Sequence, residues 1–275
     1  MIIAATSISG APGVTTTCLW LALVWPQASL LVETDHQQAV LAGYLGGREP
    51  GDRGLSQVAA AAQRGGNVGE AIWLAARPLP DDSPTRRRLL LPGPPAPWER
   101  AAIDRRWGRL AEVLLELSTT SGVDVIIDLG RIQTPQTNTP SALLPPQLLE
   151  TVDMLVVMLH PTLRSVAASR TILEGLRDAT SSAGVPDRLG LVLRTPPVRG
   201  RVDHFTPREI AAATHVPVLA PVADDPAAAA VLSDGMPRPR RWDSSGLVRS
   251  YHRLANRLAA RAHPTLLDAW EEEPA

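Results

Sequence analysis

Residues 2–17, IIAATSISGAPGVTTT, constrain this chain more than any other stretch. Ile2, Ile3, Ala4 and Ala5 form a short apolar run of the kind found in central parallel strands, which are covered on both faces. Gly10-Ala11-Pro12-Gly13 reads as a turn, with glycine allowing close backbone approach and proline fixing φ. Thr15, Thr16 and Thr17 then open an apolar helix over residues 18–24. A strand feeding a small-residue loop and a helix start presents hydroxyls and unpaired N–H groups at the positive end of the helix, which suits an anion.

The layout matches part of the phosphate-loop pattern G-x-x-x-x-G-K-[ST]. Gly13 and Thr15 fit, but Val14 stands where the lysine belongs. Composition sharpens the point, because all 27 basic residues are arginine and lysine is absent. No lysine of this chain, or of a second copy, can therefore touch a phosphate, and arginine differs in shape and reach. A net charge of −1 gives no global attraction to nucleic acid or anionic lipid. Cys18 is the single cysteine, so an internal disulfide framework is excluded and a reducing cytoplasm fits. It sits in the apolar helix and is expected to be buried. No basic leader precedes the first strand, and no apolar run reaches the roughly 20 residues of a spanning helix.

Strands and helices alternate through the rest of the chain. This predicts a doubly wound α/β fold, a mostly parallel sheet with helices on both faces, as one domain over residues 1–262 with a tail at 263–275. Residues 30–32 form a second strand ending in Glu33-Thr34-Asp35-His36-Gln37. Acids at that end of a parallel strand point into the ligand crevice, although Asp35 could equally cap a helix over 37–45. Residues 123–130, VDVIIDLG, are a strand ending in Asp128, which either faces the same crevice or caps the next loop. Helices are expected at 54–64, 68–76, 101–118, 163–179, 206–213, 227–232 and 244–262, and further strands at 89–91, 152–159, 188–194 and 216–222. Trp107 falls on the apolar side of its helix and is expected in the core. His160 is a lone strand-end histidine with a structural role. Residues 132–146 and the proline-rich stretch 77–98, outside its strand, read as loops. Arg86, Arg87 and Arg88, with Arg238, Arg240 and Arg241, are candidate nucleic-acid contacts, or else solvated loop charge.

The three segments SGAPGVTTT, ETDHQ and VIIDLG, in that order, resemble the MinD/ParA family of deviant Walker A P-loop ATPases, most closely its divergent actinobacterial-type versions. On that pattern Gly10, Gly13, Thr15 and Thr16 match, while Ser9 and Val14 replace the two lysines. Glu33 and Asp35 take the acidic positions of D-x-D-P-Q. Asp128 takes that of Walker B, although Gly130 comes one residue early for D-x-x-G. Arg194-Thr195-Pro196 stands near the position of the family's adenine-contacting asparagine. The resemblance implies ATP with magnesium bound at Gly10, Ala11, Pro12, Gly13, Val14, Thr15 and Thr16, the metal held by Thr15, Asp35 and Asp128, and catalysis, if any, through Asp35 and Asp128. It further implies a homodimer or a protein partner. With both lysines gone, the expectation is a degenerate nucleotide site in a positioning scaffold for chromosome partitioning, septum placement or pilus localisation. The alternatives are a slow ATPase that uses backbone N–H groups and an arginine, and a non-specific DNA-binding partition protein. The basic helix at 244–262 permits membrane association, but packing on the sheet is favoured.

Overall fold

Along β1 (Ile2–Ser7) every side chain is buried, and alternate residues serve opposite faces. Ile2 and Ala4 join one apolar core, Ile3 and Ala5 the other. In the computed structural model the described residues are 1–8, 13–35, 38–47, 53–80, 87–132, 144–183, 186–196 and 205–262. Those residues form an eight-stranded sheet in the order β3-β4-β2-β5-β1-β6-β7-β8. Its other strands are β2 (Ala28–Glu33), β3 (Arg77–Pro78), β4 (Arg88–Leu91), β5 (Val123–Arg131), β6 (Met154–Leu159), β7 (Leu189–Thr195) and β8 (Val218–Ala223). All pairings are parallel except β3 with β4. Pro78 is therefore on an edge strand, where its missing N–H removes no interior ladder bond.

Helices cover both faces, as doubly wound folds require. One core takes residues from α3 (Leu55–Gln63), α4 (Val68–Ala75), α5 (Pro97–Asp104), α6 (Trp107–Thr120), α7 (Pro146–Thr151), α8 (Leu163–Ser182) and α9 (Pro207–Thr214). The other takes them from α1 (Val14–Val24), α2 (Ala39–Ala42), α10 (Pro226–Ser233) and α11 (Gly246–Ala262). Local chemistry sets several starts. Asn67 caps α4, Thr162 caps α8, and Thr206 with Glu209 forms a capping box on α9. Helix α11 buries Leu247, Tyr251, Leu254 and Leu258 against β8 and α1, so its apolar stripe is spent on the fold. Among the described residues no helix is long and apolar enough to cross a membrane.

Several elements differ from the sequence reading. The single helix expected at 101–118 is two, because Arg106 leaves helical geometry (φ −117°, ψ 6°) and its N–H closes a turn on the Ile103 carbonyl. Ile103 and Trp107, on either side of the break, both enter one core. The loop expected up to residue 146 gives way to α7, which Pro146 starts from the first helical position. The stretch 77–98 also holds β3 and the start of α5. Of the helix expected at 37–45, only Ala39–Ala42 is helical, and Asp35 does not cap it. Cys18 and Trp107 are buried.

Candidate functional site

Strands β1, β2 and β5 are neighbours, so their carboxyl ends bring the three sequence landmarks together. Gly13 is the residue before α1 and adopts a left-handed conformation (φ 76°, ψ 44°) that glycine reaches without strain. The first intrahelical bond runs from the Thr17 N–H to the Gly13 carbonyl at 2.9 Å, so the N–H groups of Val14, Thr15 and Thr16 lie ahead of the helical ladder. Val14 is 5 % exposed and belongs to the core beneath the sheet face. It is a packing residue at the mouth of the loop, not a neutral group facing solvent. Ser9, Gly10, Ala11 and Pro12 lie outside the described residues.

The Thr15 hydroxyl bonds the Asp128 carboxylate. Asp128 also accepts the Gly130 N–H at 2.9 Å, so the capping role and the crevice-facing role coexist in one carboxylate. Burial pushes its pKa from 3.8 to about 6, against the pull of the Thr15 and Gly130 donors; Asp35 adds to the rise and Arg100 opposes it. The Asp128 carbonyl takes both the backbone N–H and the hydroxyl of Thr34, tying β5 to the end of β2.

Glu33, not Asp35, secures α2, accepting the Val40 N–H at 3.0 Å. Its carboxyl is 2 % exposed, and burial raises its pKa to about 8; the Val40 bond lowers it and Asp128 raises it again. At neutral pH Glu33 is therefore largely protonated. The Asp35 carboxylate lies against Gly130, whose φ of 62° is left-handed; a Cβ there would stand 3.1 Å from Asp35 Oδ2. Gly93 touches the Asp35 backbone so closely that a Cβ would fall 2.1 Å from its carbonyl oxygen. Thr15, Asp35 and Asp128 thus meet at the carboxyl ends of the strands, with Glu33 buried beside them.

Among the described residues no three acids, histidines or cysteines are grouped as a ready metal cage. Magnesium takes one or two carboxylates and completes its shell with water and phosphate oxygens. Thr15 and Asp128 suit that part, with Asp35 beside them.

On the opposite side of Gly13 lies a residue that sequence reading noted only for its departure from a pattern. Arg194, at the end of β7, donates from Nη2 to Asp224 Oδ1 at 2.5 Å, and its Nη1 lies 3.7 Å from where a Gly13 Cβ would be. A cavity of about 40 Å³ opens there, lined by Gly13, Thr16, Arg194, Asp224 and Tyr251 among others. Behind it the Tyr251 hydroxyl and the Thr17 hydroxyl share a buried bond of 2.7 Å. The sequence pattern sets Arg194 only near a base-contacting position, and the strand order brings it to the loop.

Of the basic candidates, one is withdrawn from the surface. Arg88 is 3 % exposed and donates to the Trp25 and Gln27 carbonyls, so it braces the α1–β2 turn and is withdrawn from any nucleic-acid surface. Arg86 lies outside the described residues. Arg87 is exposed with its guanidinium 5.8 Å from the Trp73 ring, and Arg238 lies 4.7 Å over Trp242. Arg240 and Arg241 are exposed.

No protein-family model and no curated protein matches this chain. Solved structures do. The septum site-determining protein MinD of Pyrococcus horikoshii, solved with Mg-ADP, is similar over 95 % of this chain and 96 % of its own, with 19 % identity and a TM-score of 0.66. A ParA family ATPase of Chlorobium tepidum covers 92 % and 98 %, with 16 % identity and a TM-score of 0.64. MinD from the MinC:MinD cell division complex of Aquifex aeolicus covers 94 % and 95 %, with 12 % identity and a TM-score of 0.64. The chain has the MinD/ParA-type P-loop ATPase fold.

Proposed function

We propose that this chain is a MinD/ParA-family positioning protein whose nucleotide site has lost its lysine charge. The observation that carries the reading is the Thr15–Asp128 bond beneath a left-handed Gly13, with Val14 turned into the core. We take the Thr15–Asp128 pair as the metal side of a phosphate site, with Val14 in place of the lysine that would neutralise phosphate. The MinD relative solved with Mg-ADP and the one solved with MinC support a nucleotide and a protein partner as the classes of ligand to seek.

In this reading the N–H groups of Val14, Thr15 and Thr16 hold phosphate oxygens at the positive end of α1. Thr15 and Asp128 hold magnesium, which would screen phosphate charge. Asp35, fixed against Gly130, orients water. Without a lysine aligned on the phosphates, a large electrostatic contribution to transfer is missing. The chain then acts through binding and through its partner, as a cytoplasmic homodimer or hetero-complex in partitioning, septum placement or pilus localisation. Calorimetric titration with ATP and magnesium tests this. Weak but measurable binding by the wild type, tightened by about ten- to a hundredfold in Val14→Lys, is the expected outcome, since a charged hydrogen bond is worth about 1.5–3 kcal/mol. Robust magnesium-dependent turnover, abolished by Asp128→Ala, would instead make the protein a working ATPase.

A further inference from the structure

The missing charge has a replacement in space. Arg194 and the first turn of α1 face one point from two sides: the site of a Gly13 Cβ is 3.7 Å from Arg194 Nη1 and 3.9 Å from the Thr16 Cβ. The cavity of about 40 Å³ lies between them. The guanidinium is 28 % exposed, so its charge is partly shielded from water yet open to the cavity. One of its nitrogens is committed to Asp224. A guanidinium carries five N–H donors in a planar fork, so the others remain suited to a second planar or tetrahedral oxyanion.

We propose that Arg194 is the phosphate-binding cation of this site, supplied from β7 in place of a loop lysine, with Asp224 as its tether and counter-charge. The ligand class is a di- or triphosphate whose oxygens bridge Arg194 and the N–H groups opening α1. This rests on the nucleotide reading above. Two other described arginines lie nearby, but on other sides. The Arg131 Nε donates to the Ile8 carbonyl at 3.4 Å, at the β1 end of the loop, and Arg100 acts on Asp128, where the metal would be. Arg194 is the arginine lining the cavity beside Thr16. Its backbone neighbourhood is firm as well: the Asp224 N–H bonds the Thr195 carbonyl at 2.7 Å, and the neighbouring Asp225 caps α10. The guanidinium is therefore held in place before any ligand arrives, which lowers the ordering cost of binding.

The test is titration of the full chain with inorganic pyrophosphate and, separately, with ATP and magnesium, for the wild type, Arg194→Ala, Arg194→Lys and Asp224→Asn. Melting temperatures are read in parallel. Arg194→Ala should weaken both ligands about tenfold or more, and Arg194→Lys should recover part of that. Asp224→Asn removes the counter-charge and keeps a side chain of the same size, so it should tighten both ligands several-fold. Both Arg194→Ala and Asp224→Asn break the same ion pair and should lower the melting temperature alike; opposite changes in affinity separate a phosphate role from a structural one. Unchanged affinity in Arg194→Ala, or parallel weakening in both variants, would overturn the assignment of Arg194 while the nucleotide reading stands. A wild type that binds neither probe would overturn both.

Discussion

On the acid side of the site, Thr15 bonds Asp128, Asp128 takes the Gly130 N–H, Glu33 takes the Val40 N–H, and Asp35 packs against Gly93 and Gly130. On the phosphate side, Val14 belongs to the core, and the nearest guanidinium arrives from a distant strand on a single ion pair. The first side is over-determined by many short contacts; the second hangs on few. Loss of a loop lysine removes one charge without disturbing the backbone that the acids hold. On the proposed reading, a phosphate-loop scaffold held by its acids keeps its backbone without a loop lysine, and a cation from another strand serves without rebuilding the loop.

The contrast can be broken most severely at Gly93. Alanine there would drive a Cβ into the Asp35 carbonyl and press on the Glu33 carbonyl, 3.3 Å away. A stability loss of about 3 kcal/mol or more is expected in denaturant unfolding. A loss under about 1 kcal/mol would mean that the acid wall is softer than its contacts imply.

Val14→Ala addresses the other side. As a core residue, Val14 should cost about 2 kcal/mol when truncated. Phosphate affinity should hardly move, because its side chain offers no polar atom to lose. A large affinity change with little stability change would place Val14 in the binding surface.

Glu33 gives an effect with a distinctive pH signature. Its folded pKa of about 8 lies above the ordinary 4.5, so the folded state binds the proton more tightly than the unfolded state between those values. Stability contributed by the protonated form is present at low pH and is lost as pH rises from about 4.5 to about 8. Glu33→Gln should flatten that slope, leaving the variant more stable than the wild type above pH 8 and near parity below pH 4.5. Parallel curves for the two proteins would remove Glu33 as the source.

The smallest effect is expected at Arg238, behind the phosphate side. Removing its stack on Trp242 in Arg238→Ala should cost about 0.5–1 kcal/mol. Any affinity for duplex DNA that depends on it should fall steeply with salt, and a flat salt response would exclude phosphate contacts there.

Much of this architecture is written locally. The runs IIAA, LLV and VIIDL predict buried strands from apolar content alone, and they form β1, β2 and β5. What escaped local reading is non-local. Pro145 and Pro146 read as loop, yet a proline suits the first turn of a helix. Arg105 and Arg106 continue a helical pattern, yet packing needs a break there. Arg88 looked like one of three solvated charges, and only the fold brings the Trp25 and Gln27 carbonyls to it. Asp35 and Glu33 exchanged expected roles because α2 begins later than its sequence suggests, within reach of Glu33. Arg194, set by the sequence only near a base-contacting position, reaches the loop because β7 lies beside β6, and β6 beside β1.

The aromatic stack behind the cavity also gives the molecule an optical probe. Trp20, on α1, lies between Trp242 at 4.8 Å and Tyr251 at 5.5 Å, with rings tilted by 25° and 16°. Tyr251 is bonded to Thr17 on the same helix, one residue past the candidate phosphate contacts. Stacked rings at this spacing couple their electronic transitions, and the coupling changes with small rotations. Any ligand that tilts α1 would therefore register in the near-ultraviolet circular dichroism and fluorescence of the unlabelled protein.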